Sequence, residues 1–341
     1  LPPVAEAWAK GAGVSFKRLD ELQKLKSSTD RASFVLSLMG HEIEKPLEKK
    51  GLIPSWALPE LAPAAAAEPK LFDWLQTRPP IWLRAQTGDV GRLCAAIRAA
   101  GLTAEPHPVL KKAVRLLDVK ANLHALKEFN QGLFEIQDIS SQCIGMACLP
   151  KPGEMWWDSC AGGGGKSLQL ADLMQRKGSV RATDTRAYKL EDLKRRAARA
   201  AFPNIRCSPW DGSAPDAKRK AVFDGVLVDA PCSSSGRWRR NPDARWIAKP
   251  DWLDELCETQ MQILEAAASG VKAGGVLVYA TCSFLRREDF DNVERFLKAN
   301  PDFSLEPFPN PLTGKMTDGM LLTLPWDADC DASFVARFRK K

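Results

Sequence analysis

Apolar positions along this chain change their spacing twice. Up to about residue 60 they recur at helical intervals, as in Arg31-Ala32-Ser33-Phe34-Val35-Leu36-Ser37-Leu38-Met39, with Ser28-Thr29-Asp30 placed to cap that helix. The proline-bounded, alanine-rich stretch from Pro59 to Pro69 reads as a linker. Next, Pro79-Pro80-Ile81-Trp82-Leu83-Arg84 predicts a strand, residues 90–100 an amphipathic helix stopped by Gly101, and residues 102–126 further short strands. From about residue 130 strand and helix patterns alternate. Trp156-Trp157-Asp158 leads through a glycine loop into a helix reaching Arg176. Val180-Arg181-Ala182-Thr183-Asp184 is a strand followed by a basic helix to Ala200. Strands are expected at 205–211, 223–230 and 275–281, and helices at 251–269 and 288–299. This alternation predicts an α/β protein with a doubly wound parallel sheet. The expected division is a helical region over 1–65, a small α+β module over 70–128 and the α/β domain over 129–341.

Two of the strands stop at a cysteine among small residues: Val226-Leu227-Val228-Asp229-Ala230-Pro231-Cys232-Ser233-Ser234 and Val276-Leu277-Val278-Tyr279-Ala280-Thr281-Cys282-Ser283. Buried parallel strands of this kind deliver both thiols to the carboxyl edge of the sheet, where α/β proteins bind ligands. Upstream lies Asp158-Ser159-Cys160-Ala161-Gly162-Gly163-Gly164-Gly165-Lys166-Ser167, whose glycines let backbone approach a ligand facing a helix amino terminus. Walker A spacing fails, because Gly165-Lys166-Ser167 follows Gly162 too soon, and the dinucleotide fingerprint lacks its last glycine. Asp184, ending the next strand, suits ribose hydroxyls, and Asp211, ending the third, suits an adenine amine. Either aspartate alone could simply cap the turn after it. Three successive strands ending in Asp158, Asp184 and Asp211 favour the ligand. A ribose and a base without a phosphate cradle fit S-adenosylmethionine better than ATP.

Composition narrows the field. With 341 residues, 45% of them hydrophobic, two or three domains are plausible. No apolar stretch approaches bilayer length. The opening Leu1-Pro2-Pro3-Val4-Ala5-Glu6 shows no secretory signal, and its lack of a methionine suggests a trimmed start. Nine cysteines without framework spacing argue for reduced thiols in a cytoplasmic protein. Three histidines and no CxxC pair argue against a structural zinc site. A net charge of +7 is only a modest hint of nucleic acid, but its placement says more. Arg237-Trp238-Arg239-Arg240 follows the first cysteine motif and Arg286-Arg287 the second. Any one basic cluster reads equally well as a solvated helix face; two just beyond the thiols favour a polyanion held over the site.

Carbon 5 of cytosine is a poor nucleophile toward a methyl sulfonium. A thiolate added at carbon 6 makes it an enamine carbon, an acid near ring N3 stabilises the adduct, and a second group can assist release. Asp229, Cys232 and Cys282 provide that inventory, although both cysteines could instead be small buried hydrophobes. The residues alone leave open which thiol attacks.

Several segments together resemble the RNA cytosine-C5 methyltransferases of the Sun/Nop type, the group containing bacterial 16S ribosomal RNA methyltransferase B. They are Arg78-Pro79-Pro80-Ile81-Trp82-Leu83-Arg84, Gln137-Asp138-Ile139-Ser140-Ser141-Gln142, Gly164-Gly165-Lys166-Ser167, Asp229-Ala230-Pro231-Cys232-Ser233, Arg239-Arg240-Asn241-Pro242-Asp243 and Tyr279-Ala280-Thr281-Cys282-Ser283. The likeness covers roughly residues 70 to 341. It implies a Rossmann-like, S-adenosylmethionine-dependent methyltransferase domain, with Cys282 as nucleophile, Cys232 assisting release, Asp229 at N3 and Lys166 ordering the site. Cofactor contacts are then expected from Cys160, Ala161, Gly162, Gly163, Gly164, Gly165, Lys166, Asp184, Lys189, Asp211 and Asp229. RNA contacts are expected from Arg237, Arg239, Arg240, Arg286 and Arg287. The implied partner is RNA, ribosomal RNA foremost, with no metal and no membrane, and a monomer is expected. Two other readings are the same reaction on tRNA and a catalytically silent RNA-binding or ribosome-assembly factor on the same fold. Three departures stand out: the usual proline of the cofactor loop is absent, the last strand opens Asp331-Ala332-Ser333-Phe334, and residues 1–65 resemble the family's helical domain only loosely.

Overall fold

The computed structural model describes residues 49–117, 122–213 and 220–341, with isolated positions between 21 and 37. The helix expected around residues 31–39 therefore lies largely outside the described residues.

The first sheet is antiparallel, in the order β2-β3-β1-β4, formed by β1 (Ile81–Ala85), β2 (Thr103–Pro106), β3 (Ala113–Leu117) and β4 (Phe134–Ile136). Helix α1 (Val90–Ala99) starts where the Asp89 carboxylate accepts the Arg92 amide at 2.8 Å, and it buries Leu93, Cys94 and Ile97 on the sheet. Because β4 pairs with β1, the module continues past residue 128 to Ile136.

The second sheet runs β10-β12-β9-β8-β5-β6-β7, with β11 also on β12. Its strands are β5 (Met155–Asp158), β6 (Ser179–Asp184), β7 (Ile205–Pro209), β8 (Phe223–Asp229), β9 (Val271–Thr281), β10 (Phe303–Leu305), β11 (Met320–Thr323) and β12 (Ser333–Lys340). β5 to β9 are mutually parallel, as the βα alternation predicts. The sheet as a whole is mixed, because β12 lies antiparallel between β9 and the short strands β10 and β11. Side chains alternate across it: Leu227, Val278 and Ala280 enter one core, and Val226, Val228, Leu277 and Tyr279 the other. The helices are α2 (Ile139–Ala147), α3 (Gly165–Leu173), α4 (Ala187–Arg199), α5 (Pro250–Ala268) and α6 (Asn292–Ala299). In α4, Leu190, Leu193 and Ala197 recur at helical spacing and form its buried face.

The stretch read as a linker is bound tightly to the large domain. Ala62 donates its amide to the Phe284 carbonyl at 2.9 Å, Arg286 donates to the Glu60 carbonyl at 2.7 Å, and Ala62 and Ala65 are fully buried. Ile53, Leu61, Leu71 and Leu75 share a core with Trp238, Phe284 and Leu285. Alanine-rich composition here reflects close packing. This segment braces the loops after both cysteines.

Candidate active site

β8 and β9 are neighbours, paired in register from Val226 with Leu277 to Asp229 with Ala280, so their carboxyl ends carry the two cysteine loops side by side. Cys232 Sγ lies 3.2 Å from Cys282 Sγ. The Cys282 amide points at Cys232 Sγ at 3.3 Å, and Ser234 Oγ is 3.4 Å from Cys282 Sγ. The hydrogen bond from Cys232 favours the Cys282 thiolate and lowers the pKa of that thiol against the opposing effect of burial. The same contact, with burial added, raises Cys232 well above the ordinary thiol value. The contact thus favours the thiolate on Cys282 and the proton on Cys232.

Beside them the Lys166 ammonium meets Asp229 Oδ2 at 2.7 Å. Burial opposes the charge on Lys166, but Asp229 more than offsets it and the lysine pKa is raised. Lys166 reaches this position from the first turn of α3, and the loop before it depends on two left-handed glycines, Gly162 and Gly164. A Cβ on Gly164 would sit 2.3 Å from Leu193 Cγ, so the loop closes on α4 only without a side chain there. The Gly162 amide donates to Asp184 Oδ2 at 2.9 Å. Arg196 of α4 donates to the Gly163 carbonyl and pairs with buried Glu135 of β4 at 2.9 Å, tying the small module to the loop.

Two cavities meet at this ion pair. The larger, about 840 Å³, is lined by Cys160, Ala161, Gly162, Gly163, Gly165, Asp184 and Asp211, and by Asp229, Cys232 and Cys282. Trp210, Trp252, Leu256 and Ile263 add an apolar wall that sequence reasoning missed. Asp184 is nearly buried. Burial raises its pKa, but the Arg186 fork, at 2.9 and 3.0 Å, and the Arg186 and Gly162 amides prevail and lower it. Asp211 lies just past β7 at the cavity wall, accepting from Ser213 Oγ at 2.6 Å. Asp158 turns inward instead, where it accepts from Ser167 Oγ at 2.6 Å and burial pushes its pKa up to about 7. Gly164 is tucked behind the loop, and Lys189 lines a separate basic cleft of about 520 Å³ with Arg195, Arg196 and Arg199.

The smaller cavity, about 410 Å³, shares Ser141, Gly165, Lys166, Asp229 and Cys282 with the first. Its other walls come from β1, the start of α2 and the turn before β12, including Trp82, Asp138 and Asp331. Burial and the nearby Asp331 raise Asp138 to about 6.

The five arginines have separate fates. Arg237 is exposed, lines the smaller cavity, and its guanidinium has no hydrogen bond or ion pair among the described residues. Arg240 lines it too, paired with Asp331 at 3.1 Å and Asp138 at 3.3 Å. Arg239 departs from the expected RNA role: it is 4% exposed, bonded to the Thr77 and Cys330 carbonyls and Asp329, and stacked on Trp74. Trp238 is fully buried against Phe284, so it offers no stacking face. Arg286 is half exposed beside Asp291, and Arg287 pairs with Asp254 and Glu60.

Sequence reasoning also missed Glu288. Fully buried, it accepts the Ser233 amide at 2.7 Å, Ser233 Oγ at 2.6 Å, Ser283 Oγ at 2.6 Å and Gln260 Nε2 at 2.9 Å. One carboxyl therefore holds the residue after each cysteine. An acidic residue five positions past Ser283, between arginines and Phe290, was the available signal.

A family model described as 16S rRNA methyltransferase RsmB/F matches residues 146–339. The chain is 34% identical over 298 residues to a probable ribosomal RNA small subunit methyltransferase B of Bacillus subtilis, covering 84% of this chain and 66% of that protein. It is 35% identical over 295 residues to ribosomal RNA small subunit methyltransferase B of Yersinia pestis, covering 85% and 67%. The chain thus spans about two thirds of the length of these relatives. Among solved structures, PH0851 matches with a TM-score of 0.81 at 27% identity, covering 91% of this chain and 72% of that one. NSun6 from Pyrococcus horikoshii, solved with SFG, matches with a TM-score of 0.67 at 19% identity, over 79% and 92%, a likeness of fold alone. Among the described residues no helix is long and apolar enough to cross a membrane, and no cluster of three or more His, Cys, Asp or Glu side chains could hold a metal ion.

Proposed function

The chain belongs to the 16S rRNA methyltransferase RsmB/F family, and on that premise we propose that it methylates carbon 5 of a cytosine in ribosomal RNA through a covalent adduct with Cys282. The observation that carries this reading is the position of Lys166, Asp229 and Cys282 on the boundary shared by the two cavities.

The larger cavity suits S-adenosylmethionine. Its glycine loop admits close approach, Asp184 and Asp211 can accept from ribose and base, and the tryptophan-lined wall can cover an adenine. Bound there, the cofactor supplies an electrophilic methyl group. The protein's own part is to activate and hold the cytosine. A base taken out of its stack into the smaller cavity meets the Cys282 thiolate, which adds to carbon 6. Asp229 meets ring N3, and the Lys166 ammonium 2.7 Å behind it supplies the proton that passes through the carboxyl to N3 and neutralises the charge of the adduct. Carbon 5 then accepts the methyl group, loses its proton to a base, and the Cys282 sulfur leaves with Cys232 assisting. The proton held on Cys232, 3.2 Å away, is placed to reach the departing sulfur.

The test uses methyl-labelled S-adenosylmethionine with small-subunit ribosomal RNA, followed by mapping of 5-methylcytosine. The parent protein is expected to label the RNA at cytosine. Cys282→Ala is expected to abolish transfer while keeping cofactor affinity. Single-turnover transfer near the parent rate in that variant would overturn the assignment of the nucleophile, and label at another base or carbon would overturn the reaction.

A further inference from the structure

The two active-site thiols are placed for a reaction with each other. Their sulfurs are 3.2 Å apart, and a disulfide requires about 2.0 Å, so a closure of little more than one ångström joins them. The loops carrying them cannot readily slide apart. Glu288 bonds Ser233 on one and Ser283 on the other, Ser235 Oγ lies 2.9 Å from Ser283 Oγ, and the Gly236 amide donates to the Cys282 carbonyl at 3.0 Å. Both sulfurs open onto the 840 Å³ cavity, which a small oxidant can enter. Cys94, Cys143, Cys148, Cys257 and Cys330 are buried. Proximity, a rigid frame and access coincide at this pair.

We propose that Cys232 and Cys282 form a redox-responsive dithiol, oxidised by peroxide to an intramolecular disulfide that stops methyl transfer and reopened by a thiol reductant. Cys282, the sulfur polarised toward thiolate by its neighbour, takes one oxygen from hydrogen peroxide to give a sulfenic acid, and the other oxygen leaves as water. Cys232 then attacks the Cys282 sulfur, the S–S bond forms, and the sulfenic oxygen departs as a second water with the thiol proton. Two thiols lose two electrons and one peroxide gains them. The disulfide also protects Cys282 from oxidation to sulfinic acid, which thiols do not reverse.

The experiment treats the full chain, without RNA, with hydrogen peroxide at one equivalent, then alkylates free thiols and maps peptides by mass without reduction. The expected result is a linked peptide pair containing Cys232 and Cys282, lighter by two hydrogens, with two of the nine thiols lost and both restored by dithiothreitol. Transfer activity is expected to vanish and return in parallel. In Cys232→Ser, treated with two or more equivalents, peroxide is expected to carry Cys282 on to sulfinic acid, and dithiothreitol is expected not to restore its alkylation. A parent protein in which Cys282 becomes sulfinic acid while Cys232 stays free, or in which both thiols survive, would overturn the proposal. Because the bond is read by mass alone, its absence is separable from any failure of the RNA reaction.

Discussion

The two cavities that meet at Lys166 and Asp229 are built in opposite ways. The larger follows the chain locally: the loop after β5, the end of β6, the turn after β7 and the loop after β8 each contribute in order. The smaller is assembled from distant pieces, with Trp82 from the antiparallel module, Asp138 from the segment joining the domains and Asp331 from the turn before β12. A sheet edge can present a cofactor surface by repeating one βα unit. A surface that must distinguish one macromolecule from another needs elements that the repeat does not supply. Small module, α2 and antiparallel β12 therefore converge on one side, leaving Lys166, Asp229 and Cys282 between a local and a non-local half.

Variants should sort by the half they touch. The largest effect belongs to the boundary. Cys232→Ala is expected to trap a covalent protein–RNA adduct that survives a denaturing gel and disappears when Cys282→Ala is added. An adduct persisting in the double variant would assign the nucleophile elsewhere. Next comes the frame beneath the boundary. Glu288→Gln places an amide donor against groups that already donate, so a loss of about 1.5–3 kcal/mol in unfolding free energy is expected. Its transfer rate should fall while S-adenosylmethionine affinity holds, and Glu288→Asp should recover part of the rate. Equal losses of rate and affinity would mean that Glu288 supports only the fold.

A smaller effect tests the local half. Asp184→Ala is expected to weaken S-adenosylmethionine by about 1.5–3 kcal/mol in calorimetry, since the side chain would lose a ribose contact and its hold on Gly162. RNA affinity should not move. The subtlest effect tests the non-local half: Arg237→Ala should flatten the logarithmic salt dependence of RNA binding by somewhat less than one unit, with cofactor affinity unchanged. Arg239→Ala should instead lower thermal stability, because its guanidinium joins segments around Thr77, Asp329 and Cys330. A reversed pair of outcomes would place the RNA path away from the smaller cavity.

The parallel core, the glycine loop and the delivery of Asp229, Cys232 and Cys282 to one sheet edge are legible from the residues alone. Those features follow from strand patterning and from residues close together in the chain, whose geometry local rules control. The remaining features depend on packing between distant segments. Arg237, Arg239 and Arg240 are near neighbours with the same charge, yet one is exposed, one is stacked beneath Trp74 and one is paired with Asp138 and Asp331. The partners of Arg239 and Arg240 lie some 90 to 160 residues away in the chain. The alanine-rich stretch near residue 62 likewise looks like a tether until Phe284 and Leu285 are seen against it. Burial is set by whatever segment comes to cover a side chain, and long-range packing is not encoded in the spacing of nearby residues. The 3.2 Å contact between Cys232 and Cys282 combines both kinds of information: adjacent strands bring the thiols to the same edge, and the buried Glu288 bridge fixes how closely they face each other.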